Sequence, residues 1–93
     1  MIFVEIDFKK IEQIYGIEMI EEIRDNLRDV NTNVNYLLKI GFNDVEDIFE
    51  RYAPIFICSN KNFIEKINNL IKKIGNDYIN IIENDLSILE ELL

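Results

Sequence analysis

Residues Ser59–Gly75, SNKNFIEKINNLIKKIG, decide the fold class. Phe63, Ile64, Ile67, Leu70, Ile71 and Ile74 recur at the spacing of one helical face, and a period-2 reading of the same stretch fails. Start and stop signals frame it. Ser59 or Asn60 can accept hydrogen bonds from the free N–H groups of the first turn. Lys72 and Lys73 stand near the negative end of the helix dipole, and Gly75 can take the positive φ of a helix stop. Burying six such side chains is worth roughly 1.5–3 kcal/mol each, so the helix needs neighbours to cover it.

Outward from this helix the chain reads as further short helices. Asp7 can cap one that runs through Tyr15 and stops at Gly16; before it Met1–Phe8, MIFVEIDF, alternates like a strand while Val4, Phe8, Ile11 and Tyr15 fit a helical face, and an extended lead is favoured over a helix start. Ile20, Ile23, Leu27 and Val30 mark a helix over Ile17–Arg28. On it, Arg24 and Arg28 follow Glu21 and Asp25 at ion-pair spacing. Asn31-Thr32-Asn33 reads as a turn or cap, followed by a helix with Val34, Leu37 and Leu38 that Gly41 closes. Asn43 or Asp44 caps the next, with Val45, Ile48, Phe49 and Tyr52 inward. Pro54 biases Ala53 away from helical geometry, so this helix is expected to stop by Tyr52. Ile55–Cys58 reads as a buried turn or connector. Asn76-Asp77 caps a helix with Tyr78, Ile81 and Ile82, and Ser87 with Glu90 has the spacing of a capping box for a last short helix.

The expectation is therefore an all-α single domain over residues 1–93, a compact array of five to six short helices. Its core is expected to include Ile20, Ile23, Leu27, Leu38, Val45, Ile48, Phe49, Phe63, Ile67, Leu70, Ile71, Ile74 and Ile81.

Composition narrows the functional classes. The chain is 48% hydrophobic, too apolar for disorder, and charges break the apolar runs too often for a membrane span. The N-terminus lacks the basic region and cleavage site of a secretory signal, so a cytoplasmic protein without membrane contact is expected. Without histidine there is no imidazole acid, base or metal ligand. No glycine-rich phosphate loop or CxxC pair occurs, and Cys58 is expected to pack rather than react. No catalytic chemistry, cofactor or metal is expected.

Eighteen acids against ten bases give a net charge of -8, which repels nucleic-acid phosphates in general and favours basic partners. Only residues 59–75 are basic, with one acid against four lysines; residues 76–93 carry five acids and no base. Two sets of candidate binding residues follow: Lys61, Lys66, Lys72 and Lys73 for a nucleic acid, and Glu18, Glu22, Asp44 and Asp47 as an acidic interaction surface.

Leu37–Glu50, LLKIGFNDVEDIFE, returns as Leu70–Glu83, LIKKIGNDYINIIE, at an offset of 33–34 residues, the range of degenerate helical repeats. Across Asn35–Gly75 a leucine-bearing helix ends in Gly41-Phe42. It is followed by an acid-rich helix centred on Ile48, by Pro54 with Ile55 and Ile57, by a Ser-capped turn, and by a long helix closing on Gly75. This pattern resembles the repeat of the mitochondrial transcription termination factor family. The resemblance implies a stack of helix pairs whose concave face holds duplex nucleic acid. The charge instead ranks a small protein-interaction module first, binding a protein partner or a second copy of itself. Nucleic-acid binding through the 59–75 helix comes second, and phosphate mimicry by the acidic surface toward a nucleic-acid enzyme third.

Overall fold

The computed structural model describes residues 7–93, and among them every regular element is helical. In chain order they are α1 (Phe8–Tyr15), α2 (Ile17–Asp25), α3 (Leu27–Lys39) and α4 (Val45–Tyr52). A single 3-10 turn (Ala53–Phe56), α5 (Asn60–Ile74), α6 (Tyr78–Asn84) and a 3-10 helix (Leu86–Leu92) follow. The expected all-α array of short helices is what the chain forms. Of the expected extended lead, residues 1–6 lie outside the described residues, and Phe8 already belongs to α1.

Several boundaries fall where capping chemistry puts them. Asp7 accepts a hydrogen bond from the Lys10 N–H, and Ser59 accepts one from the Asn62 N–H. Gly75 closes α5 at φ 101°. Gly41 has φ 113°, a torsion that favours glycine, and a Cβ there would meet the tip of the Ile79 side chain, Cδ1, at 2.8 Å, which would have to move aside.

Other expectations are corrected. The break in residues 17–39 comes at Asn26, not at Asn31–Asn33. There Asn26, at φ -118° and ψ 25°, leaves helical torsion, and its Nδ2 joins its own backbone N–H on the Glu22 carbonyl at 2.9 Å. The expected breakers instead stay helical. Thr32 Oγ1 donates back to Arg28 O, Asn35 Nδ2 donates to Asn31 O, and the Asn33 amide is used by another part of the chain. With the break at Asn26, Leu27 opens α3 instead of extending the Ile20–Ile23 face, and it is 40% exposed. Ile81 is 39% exposed because α6 turns Ile82 to the core. Arg24 and Arg28 form no ion pair with Glu21 or Asp25 among the described residues; the Arg24 guanidinium lies 5.2 Å from the Phe8 ring centre. α4 does end at Tyr52, but Ala53 is helical in torsion (φ -48°, ψ -40°) and Tyr52 is the residue that departs. The last helix is capped by Asp85, which accepts from the Ser87 N–H, rather than by Ser87.

The core runs through the middle of the array. Ile20, Ile23, Val45, Ile48, Phe49, Phe63, Ile67 and Leu70 are buried as expected, while Leu38, Ile71 and Ile74 are half-buried at its margin. It also takes in Ile11, Val30, Val34, Leu37, Phe42, Ala53, Ile55, Phe56, Ile82 and Leu89. Phe56, on the 3-10 turn, is its hub: its ring centre lies 5.3 Å from Phe49 and 5.3 Å from Phe63, and Tyr36 meets Phe63 edge-on at 6.3 Å.

Polar clasps join the elements at the edges. Tyr15 OH donates to the Glu50 carbonyl at 2.9 Å, and Lys10 Nζ pairs with Glu50 at 2.7 Å, tying α1 to α4. Asn43 offers its backbone N–H and its amide to the Glu83 carboxylate, tying the α3–α4 corner to α6. Tyr78 OH donates to Ile40 O on the same corner.

Candidate functional site

Asn33 determines how the central face is assembled. Its side chain is fully buried, yet Nδ2 donates to the Phe56 and Cys58 carbonyls at 2.9 and 3.0 Å, and Oδ1 accepts from Asn60 Nδ2 at 3.1 Å. The strand of backbone between the 3-10 turn and α5 would otherwise leave these carbonyls buried and unpaired. The Asn33–Asn60 pair, the Tyr36–Phe63 contact and the bond from Tyr36 OH to Asn68 Oδ1 at 3.0 Å advance together along both helices, so α3 and α5 run side by side in the same direction.

Between them lies an open cleft of about 300 Å³ lined by Thr32, Asn35, Tyr36, Lys39, Asn60 and Ile64. Helical spacing sets its two rims. Arg28, Thr32, Asn35 and Lys39 recur at i, i+4, i+7 and i+11 on α3; Lys61, Ile64, Asn68 and Lys72 recur at i, i+3, i+7 and i+11 on α5. Of the cations on these two rows, Lys39 lines the cleft; Arg28, Lys61 and Lys72 lie outside its lining. Glu65 stands one step outside Lys61 on α5, and Asp29 faces the Cys58 side of α3.

The four lysines singled out by sequence divide between two flanks of α5. Lys61 and Lys72 share the flank toward the α3 cleft. Lys66 and Lys73 lie on the other, roughly 130° around the helix, where they line a second open cleft of about 270 Å³ with Asn69, Leu70, Glu91, Leu92 and Leu93. There Lys73 Nζ pairs with Glu91 at 3.3 Å. All four lysines are exposed, but they do not form a single row.

The acidic set is also divided. Glu18 and Glu22 are exposed on α2, Asp44 is exposed at the start of α4, and Asp47 is half-buried and held by Arg51 Nε at 3.1 Å. Among the described residues no three acidic or cysteine side chains converge as a metal site would require.

Cys58 is half-buried, its Sγ donating to Ile55 O at 3.6 Å, and burial pushes the thiol up from its ordinary value despite nearby Lys66. Burial likewise raises Tyr15. Asn35, Tyr36, Lys39, Asn60 and Asn68 were not visible as site residues in the sequence. The available signal was the clustering of asparagine at positions that α3 and α5 bring to one cleft. Among the described residues no helix is long and apolar enough to cross a membrane. No family model, no curated protein and no solved structure matches this chain.

Proposed function

We propose that the chain is a small, non-catalytic protein-interaction module whose binding face is the cleft between α3 and α5. The observation that carries this reading is the lining of that cleft: two amides, a threonine, a tyrosine, an isoleucine and one cation, Lys39, in a molecule of net charge -8. Such a lining offers hydrogen bonds, a small apolar contact and charge selection. It contains no carboxylate or thiol, and no hydrogen bond joins its hydroxyls to Lys39. Exposed Ile14, Ile17 and Leu93 add apolar side chains elsewhere that a partner or a second copy can cover.

Affinity capture of the tagged chain from a lysate of its source, with and without nuclease, tests the reading. Protein partners that survive nuclease and are lost with Lys39→Glu support it; hits that all vanish on nuclease treatment overturn it. A second reading, a nucleic acid, is favoured by the four exposed lysines of α5 and by the family-like pattern of residues 35–75. Its signature is steep salt dependence, because each phosphate contact releases counterions. Weak and salt-indifferent association with DNA rejects it.

A further inference from the structure

We infer that the groove between α5 and the C-terminal 3-10 helix seats one amphipathic α-helix of a different protein, lying along α5 as α5 lies along α3. This surface is on the flank of α5 away from the α3 cleft and stands apart from it. Element starts point to it: α5 begins 33 residues after α3 (Asn60 against Leu27), α6 begins 33 after α4 (Tyr78 against Val45), and the 3-10 helix begins 33 after the 3-10 turn (Leu86 against Ala53). A glycine of positive φ, Gly41 or Gly75, follows each long helix. At the same offset Val30 and Phe63, Leu37 and Leu70, and Phe56 and Leu89 are buried in pairs. The chain thus folds one helix–corner–helix–3-10 unit twice, and in such stacks each unit is covered by the next.

The first unit displays what its groove takes. Asn33 bonds to Asn60, and Tyr36 meets Phe63 and Asn68, so α5 lies along α3 with its first turn at Asn33. At the same offset Lys66, Asn69 and Glu91 stand for Asn33, Tyr36 and Cys58, and all three line the open groove of about 270 Å³. Asn33 is fully buried and Tyr36 and Cys58 are half-buried, whereas Lys66, Asn69 and Glu91 are exposed; among the described residues no helix covers the second unit. A helix entering there brings its first turn to Lys66. Glu91 is held by Lys73 at 3.3 Å, while Lys66 forms no ion pair among the described residues. An acid in the entering first turn therefore answers Lys66 and the positive end of its own helix dipole together. Apolar side chains three and seven residues after the start, the places of Phe63 and Ile67 on α5, are the ones to cover Leu70 and Leu92. A second copy has no such helix to offer. Among the described residues the exposed large hydrophobics are Ile14, Ile17, Leu27, Ile81 and Leu93, and no helix carries two of them.

The test selects a phage library of single helices as long as α5, 15 residues, against the whole protein. A fluorescein-labelled form of the enriched helix is titrated against wild type, Lys66→Glu, Asn69→Arg and, as a control in the α3–α5 cleft, Lys39→Glu. Circular dichroism confirms that each variant is folded and reads the helix gained by the peptide on binding. Enriched sequences are expected to carry an acid in the first turn and apolar residues three and seven places after the start, and to gain helix when bound. Affinity should fall about tenfold or more with Lys66→Glu and with Asn69→Arg, and hold with Lys39→Glu. Absence of enrichment, a peptide that binds without gaining helix, or affinity indifferent to Lys66→Glu or to Asn69→Arg overturns the inference. Loss with Lys39→Glu alone places the helix in the α3–α5 cleft, which overturns the groove and supports the interaction reading. Self-association in sedimentation that Lys66→Glu abolishes gives the groove to a second copy and overturns the occupant.

Discussion

At the scale of single residues, Asn33 carries the most consequence. Asn33→Ala leaves the buried Phe56 carbonyl and the part-buried Cys58 carbonyl without this donor and Asn60 Nδ2 without its acceptor, so urea denaturation is expected to show a loss of about 2–3 kcal/mol. Tyr15 gives a test in pH. Its phenol is raised by burial and donates to the Glu50 carbonyl. A group raised in the folded state contributes stability in full below its unfolded value of 10.0 and loses it as pH climbs through the folded value. Stability measured across the alkaline range should therefore fall more steeply above pH 10.0 in wild type than in Tyr15→Phe, which at neutral pH loses about 1 kcal/mol for the missing hydrogen bond. Gly41→Ala should cost about 1–3 kcal/mol, and more than Gly75→Ala. Both positions have positive φ, but only at Gly41 would the new methyl strike Ile79.

At the scale of elements, the sequence was legible where one face and two caps agreed, and misleading where polar residues had partners far away in the chain. α5 was readable end to end because Ser59, the apolar face and Gly75 give the same answer. Asn31-Thr32-Asn33 looked like a stop because asparagine favours turns. The Asn33 amide instead bonds to carbonyls more than twenty residues later, a fact no local pattern records. The same blindness hid the cleft: helical spacing alone keeps the four lysines of α5 off a single line, but the pairing of α5 with α3 needed the packing. Caps provide a direct check by thermal denaturation. Ser59→Ala should destabilise by about 1 kcal/mol. Asp85→Ala should exceed Ser87→Ala, because Asp85 accepts from both the N–H and the hydroxyl of Ser87.

At the scale of the whole molecule, Phe56 holds the array together. Rings contributed by α3, α4, the 3-10 turn and α5 meet around it, so Phe56→Ala removes about 3–5 kcal/mol from a domain whose total stability is expected near 5–15 kcal/mol. A loss of cooperative unfolding near physiological temperature is the expected readout. Charge is arranged at the same scale: acids are spread along the chain, while four of the ten cations lie on α5 with a single acid, Glu65, beside them. This asymmetry sets a basic helix in a molecule whose overall field discourages polyanions. The most direct test places the photo-crosslinking residue p-benzoylphenylalanine at Asn35, on the cleft, or at Glu22, on α2, and irradiates living cells of the source organism. A discrete protein adduct from position 35 and none from position 22 is the predicted result; nucleic-acid adducts at position 35, or protein adducts only at position 22, would contradict the account.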